Sequence, residues 1–225
     1  MQKKKSQPKI AKVAGEPSLS AKPPARKTVT RSFCVYCGSG LGTDPAYAEA
    51  ARTLGRSLAE NGVGLVYGGG SLGLMGEVAR ATLAHGGRVT GIIPTFLSER
   101  EQMLRDVDEM ILVEDMHQRK RLMFERSDAF IALPGGIGTL DERAVEHAGT
   151  TLVYATQTSV VADKSVYWGP CLDLLAHMKK DSFIRAGLEV RFHVVATAEE
   201  IVPTALGANG HATGPGANAA VTTKF

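Results

Sequence analysis

The feature that most constrains this chain is a junction that occurs three times. A short apolar run ends in glycines and leads on into a polar, helix-compatible stretch. Phe33 to Cys37 runs into Gly38-Ser39-Gly40, Val63 to Tyr67 into Gly68-Gly69-Gly70, and Ala129 to Leu133 into Pro134-Gly135-Gly136. Apolar runs of this length, bounded by turn residues, read as buried strands. Strands that alternate with helices make an open parallel sheet with helices on both faces, because each crossover must return over the sheet. The expected fold is therefore α/β: a Rossmann-like, doubly wound, mostly parallel sheet. In such sheets ligands bind outside the carboxyl ends of the strands, and here those ends carry the glycines.

The third junction is the most informative. Pro134-Gly135-Gly136-Ile137-Gly138-Thr139-Leu140-Asp141-Glu142 reads as a glycine turn that opens a helix. Glycines let the backbone approach a ligand closely. The first N–H groups of the helix and its dipole both favour an anion. Thr139 adds a hydroxyl, and Glu142 falls about one turn past the glycines, beside a phosphate sugar and not on the phosphate. None of the junctions fits the P-loop, which needs G-K-[ST], or the G-x-G-x-x-G dinucleotide pattern with its acidic partner.

The other elements follow from spacing and caps. Asp44-Pro45 begins a helix, with Ala48, Ala51, Leu54 and Leu58 on one face. A second helix runs from about Gly73 to His85, and Arg88 to Ile93 and Met110 to Val113 are strands. The polar stretch Ser98 to Gln102 is a loop or short helix. Met116 to Arg126 is a helix with Met116, Leu122 and Met123 available to pack inward. Thr150 to Thr156 is β-prone.

At 225 residues the chain suits one large domain, here 32–206, with a basic tail at 1–31 and a Gly/Ala/Thr-rich tail at 207–225. The first tail, with Lys3-Lys4-Lys5 and Pro23-Pro24, has too little apolar content to repay its ordering and is expected to be disordered. No aromatics interleave with its charges, which argues against nucleic-acid binding by stacking. A basic start with no apolar segment behind it argues against a secretory signal, and no apolar run is long enough for a membrane span. Three cysteines without framework spacing fit a reducing, cytoplasmic setting. Cys34 and Cys37 form a C-x-x-C, but within a strand they read as packing and not as a redox pair. The six histidines show no metal-ligand spacing.

Two longer motifs carry a resemblance. Pro134 to Glu142 satisfies P-G-G-x-G-T-x-x-E in full, and Met116-His117-Gln118-Arg119-Lys120 satisfies M-H-x-R-K. Cys37-Gly38-Ser39, Tyr67-Gly68-Gly69-Gly70 and Gly73-Leu74-Met75-Gly76 fit as well. On these motifs the chain resembles the LOG ("lonely guy") family, cytokinin riboside 5'-monophosphate phosphoribohydrolases that have often been mislabelled lysine decarboxylases. The resemblance covers residues 33–142 well and 166–203 more loosely. It implies cleavage of the N-glycosidic bond of a nucleoside 5'-monophosphate to free base and ribose 5-phosphate, with Arg119 and Glu142 catalytic. Gly135, Gly136, Gly138 and Thr139 would hold the phosphate, and Glu101 and Lys120 would contact substrate. Ile137, Leu140, Asp141, Ser39, Gly69, Gly70 and Met116 complete the implied binding set. No metal or organic cofactor is implied; a lysine decarboxylase would need a pyridoxal-phosphate lysine, which nothing here marks. The family implies a homodimer.

The chain departs from the family pattern after Glu142. Ala148 and Gly149 stand where a Thr-Trp pair is usual, and Arg143 to Gly149 lacks the apolar stripe of a buried helix. Real divergence and a compensated reading-frame shift both produce such a segment over about 143–165. Two functions stay open: a phosphoribohydrolase, and a nucleoside-monophosphate-binding protein of the same fold with impaired or no turnover.

Overall fold

A computed structural model describes residues 29–98, 102–144, 152–155, 167–184 and 192–208. The strands are β1 (Arg31–Tyr36), β2 (Val63–Tyr67), β3 (Val89–Pro94), β4 (Glu109–Val113), β5 (Ala129–Ala132), β6 (Leu152–Ala155) and β7 (Phe192–Val195). The helices are α1 (Pro45–Glu60), α2 (Gly73–Ala84), α3 (Thr95–Ser98), α4 (Met116–Glu125), α5 (Ile137–Ala144), α6 (Gly169–Lys180) and α7 (Ala198–Ala208). The strands form one sheet in the order β4-β3-β2-β1-β5-β6-β7, and every described pairing is parallel. The doubly wound α/β expectation is met. The order reverses between β1 and β5, where Phe33 pairs with Ala129 and Tyr36 with Ala132. Chains leave these two strands toward opposite sides, so a crevice opens between their carboxyl ends.

Alternation along β1 divides the core. Phe33, Val35 and Cys37 lie with Leu54 and Leu58 of α1, Val78 of α2 and Ile201 of α7. Cys34 and Tyr36 lie with Phe130, Met123 of α4 and Trp168, against which Leu172 and Leu175 of α6 pack. Helices therefore cover both faces, and the two cysteines of the C-x-x-C belong to opposite faces of the sheet. The inward face read for α4 holds for Met123, which is 1% exposed, while Leu122 and Met116 are half-buried. The β-prone run at 150–156 contains β6. β7 and α7 were not foreseen. Both expected tails, residues 1–28 and 209–225 of them, lie outside the described residues, as does most of the atypical segment at 143–165.

The helix starts have local causes. Asp44 caps α1, its carboxylate accepting from the Ala46 N–H at 2.9 Å, and Pro45 takes the first turn, where no N–H is needed. Ala48, Ala51, Leu54 and Leu58 are all buried, as the spacing predicts. Gly55 brings α1 onto α2: a Cβ there would stand 2.5 Å from the Val78 carbonyl oxygen. On the outer surface Glu77 of α2 accepts from Arg80 and from Arg52 of α1, each at 2.8 Å. The Arg80 hydrogen bond first, and the Arg52 bond second, hold the Glu77 carboxyl below its ordinary range.

Leu54→Ala should cost about 2–5 kcal/mol in urea unfolding, since a fully buried side chain is replaced by a cavity. Because Glu77 is depressed in the folded chain, its contribution is complete above the ordinary glutamate range and is lost as pH falls through that range toward the lower folded value. Glu77→Gln should therefore flatten the decline of stability on acidification, measured as urea midpoints across that window.

Candidate active site

The carboxyl ends of β1 and β5 are tied by backbone. The Leu133 N–H donates to the Tyr36 carbonyl at 3.0 Å, and the Gly38 N–H donates to the Pro134 carbonyl at 2.9 Å. The first turn of α2 closes on the same loop, the Leu74 N–H donating to the Gly38 carbonyl at 3.0 Å. Gly73, at φ +60, is what permits this: a Cβ there would collide with the Ser39 backbone. Between the two loops is a cavity of about 280 Å³, lined by Gly38 to Gly42, Tyr47, Leu74, Pro134 to Gly136 and Tyr167.

The two glycines of the third junction are needed for different reasons. Gly135 is pressed against α5, where a Cβ would collide with Thr139 Oγ1 and lie 2.9 Å from the Gly38 nitrogen. Among the described residues, a Cβ on Gly136 or Gly138 would meet nothing within 4 Å. In the first turn of α5 the Leu140 N–H already returns to the Gly136 carbonyl at 3.1 Å. The earlier amides of a helix have no intrahelical acceptor, so this turn is suited to an anion. Thr139 is 4% exposed, while Ile137 stands out at 81%.

α4 supplies the cations. Its start is held by two bonds: Asp115 accepts from the Gln118 N–H at 2.8 Å, and the Gln118 side chain accepts from the Glu114 N–H at 2.8 Å. The Gln118 N–H, before any other cause, holds the Asp115 carboxyl below its usual range. Arg119 is 7% exposed, and its guanidinium lies over Gly68 at the end of β2, where a Cβ would collide with Nη2. Its Nη1 donates to Met116 Sδ at 3.8 Å. Lys120 Nζ donates to Asp141 Oδ2 of α5 at 2.5 Å. α4, with Arg119, is thus bonded to α5, on which Glu142 directly follows Asp141.

Of the residues expected from sequence, Ser39, Gly135 and Gly136 line the cavity, Thr139 packs on Gly135, and Arg119, Lys120, Met116 and Asp141 lie on α4 and α5 and are not on its lining. Gly69 and Gly70 are not on the lining. The Gly69 carbonyl accepts from the Leu104 N–H at 3.2 Å, and Gly70 forms a bridge with Met103, so this junction is occupied by the chain itself. Glu101, Ala148 and Gly149 lie outside the described residues. Sequence reasoning missed Tyr47 and Tyr167 as lining residues and Gly68 as the seat of Arg119. Tyr167 had one signal, its place near the start of the looser resemblance over 166–203. Among the described residues no group of three or more His, Cys, Asp and Glu is placed to hold a metal ion.

A family model described as "Possible lysine decarboxylase" matches residues 75–205. A cytokinin riboside 5'-monophosphate phosphoribohydrolase of Rhodococcoides fascians is 37% identical over 184 residues, covering 81% of this chain and 92% of that protein. The chain belongs to this family. A probable cytokinin riboside 5'-monophosphate phosphoribohydrolase of Oryza sativa subsp. japonica is 54% identical over 112 residues, or 50% of this chain and 49% of the relative. An Arabidopsis thaliana phosphoribohydrolase is 53% identical over 117 residues, or 52% of this chain and 54% of the relative. The match thus spans about half the length of these two plant relatives. Among solved structures, the molybdenum cofactor carrier protein of Chlamydomonas reinhardtii aligns with a TM-score of 0.55 at 22% identity, over 81% of this chain and 99% of that one. The molybdenum cofactor binding protein of Rippkaea orientalis aligns at 0.56 and 22%, over 81% and 98%. At that identity these two show the fold alone.

The contrast between the paired glycines is testable. Gly135→Ala should cost about 1–3 kcal/mol in urea unfolding through overpacking on Thr139. Gly136→Ala, whose Cβ has no described atom within 4 Å, should stay within about 0.5 kcal/mol of the parent.

Proposed function

We propose that the chain hydrolyses the N-glycosidic bond of a nucleoside 5'-monophosphate, either a cytokinin riboside 5'-monophosphate or AMP, giving the free base and ribose 5-phosphate. The observation that carries this reading is the Lys120–Asp141 bond, which holds the helix of Arg119 to the helix of Glu142 beside the glycine turn. The names of the matching relatives, including the bacterial protein aligned over nearly its whole length, support the same reaction.

The residues suit each part of that chemistry. The 5'-phosphate is received by the amides of the Gly135 to Thr139 turn and the Thr139 hydroxyl, where helix dipole and unspent N–H groups oppose its charge. As the bond from C1' to the base nitrogen breaks, positive charge grows on the sugar. The Glu142 carboxylate stabilises that charge and orients or deprotonates water, whose oxygen bonds to C1'. The base leaves with the bonding pair and takes up a proton at nitrogen. Arg119, seated on Gly68, supplies a fixed cation toward the departing base or the bound nucleotide. Lys120 and the half-buried Met116 border the substrate, and Glu101 contacts it as the family motif implies. No step calls for a metal or organic cofactor.

A second reading, binding without turnover, is favoured by one observation: Ala148 and Gly149 replace the Thr-Trp pair of the family pattern. We also propose a homodimer located in the cytoplasm. Exposed Leu112 on the edge strand β4 and exposed Phe124 of α4 support an apolar contact between copies. No helix among the described residues is long and apolar enough to cross a membrane.

Incubation with AMP and with isopentenyladenosine monophosphate, following free base by chromatography, tests the reading. Glu142→Gln should lower the rate by about 10²–10⁴ with the fold retained. Unchanged release in that variant would refute the role of Glu142. Tight nucleotide binding by the parent with no base released would establish the second reading instead.

A further inference from the structure

Tyr167 lies at the start of the segment leading into α6, far in sequence from the glycine turn, yet its hydroxyl donates to the Gly135 carbonyl at 2.7 Å. Its ring is held on two sides. Tyr47 of α1 meets it edge-on with centroids 5.7 Å apart, and Trp168, which is buried, meets it edge-on at 5.1 Å. Both tyrosines line the cavity that Gly135 and Gly136 also line. Burial first, then Asp44 and Tyr167, raise the pKa of the Tyr47 hydroxyl, so that ring stays neutral at ordinary pH.

The peptide between Gly135 and Gly136 is the one in the turn least able to hold its own orientation. Rotating a peptide unit changes ψ of the residue before it and φ of the residue after it, and glycine on both sides removes the usual steric resistance. In a trans peptide the carbonyl and the following N–H point in opposite directions. A hydroxyl that fixes the Gly135 carbonyl therefore also fixes the Gly136 N–H on the other side, at the mouth of α5. If the unit turned over, a carbonyl oxygen would replace a donor where an anion has to bind.

We propose that Tyr167 is a positioning residue for the phosphate site: its hydroxyl, braced by Tyr47, locks the Gly135–Gly136 peptide with the amide toward the bound 5'-phosphate. The inference rests on the nucleotide-binding half of the proposed function and not on turnover. Tyr167 serves the phosphate and not the base, so its loss is felt only by ligands that carry a phosphate.

The test is calorimetric titration of AMP and of adenosine into the Glu142→Gln chain and into the same chain carrying Tyr167→Phe, which keeps the ring and removes only the hydroxyl. Tyr167→Phe should weaken AMP about 3- to 10-fold and leave adenosine within about twofold, the effect of one net hydrogen bond confined to the phosphate. In the Glu142 parent, KM for AMP should rise with kcat unchanged, because a contact made equally in ground and transition states is lost. Equal affinity for AMP with and without the hydroxyl overturns the proposal. Equal weakening of AMP and adenosine overturns it too, as that marks a loosened pocket and not a misdirected amide. A chain that binds AMP no better than adenosine also overturns it. Phosphate-dependent binding that responds to Tyr167→Phe in a chain that releases no base leaves this inference standing and sinks hydrolysis alone.

Discussion

The hydrogen bond from the Gly38 N–H to the Pro134 carbonyl is the contact on which the rest of the site depends. It joins the carboxyl ends of β1 and β5, the neighbours at which strand order reverses. A doubly wound sheet opens a crevice at that point, because the two chains depart to opposite faces. Without a tie the crevice would be a gap between loops. With it, the loop after β1, the first turn of α2 and the turn into α5 form one backbone surface, on which a side chain at Gly73 or Gly135 would collide with Ser39 or Thr139.

The charges reach this surface by a different route. α4 enters from β4, at the far edge of the sheet, and its cap at Asp115 and Gln118 fixes where its first turn begins. That places Arg119 over Gly68, and Lys120 then bonds Asp141. A nearly buried guanidinium is costly unless its surroundings answer it. In the proposed function a nucleotide held by the glycine turn would add an anion near this guanidinium, and the cation and the phosphate site would then act on one ligand.

Much of this was legible in the sequence, and the exceptions share a cause. The three glycine junctions gave the parallel sheet, and Asp44-Pro45 marked the start of α1, because strand burial and helix caps are set by residues close together in the chain. β7 is four residues long and α7 carries Pro203 in its interior, so neither has a clear periodic pattern. The same limit applies at the site. Pro134 to Glu142 could be read as an anion turn from its own residues, but Gly68 matters because of Arg119, and Tyr167 because of Gly135. Gly69 and Gly70 read as part of a ligand rim from their own residues, while their contacts with Leu104 and Met103 had no signal in the sequence. Contacts between residues distant in sequence leave no local mark.

The central claim is that the glycine turn and the paired helices α4 and α5 act together on one nucleotide. The most direct measurement compares the rate of adenine release by the unmodified chain from AMP and from adenosine at equal concentration. If phosphate binding energy is used to bring C1' to Glu142, AMP is cleaved to adenine and ribose 5-phosphate, and adenosine is cleaved far more slowly. Equal rates from the two, or no adenine from AMP, would contradict the account.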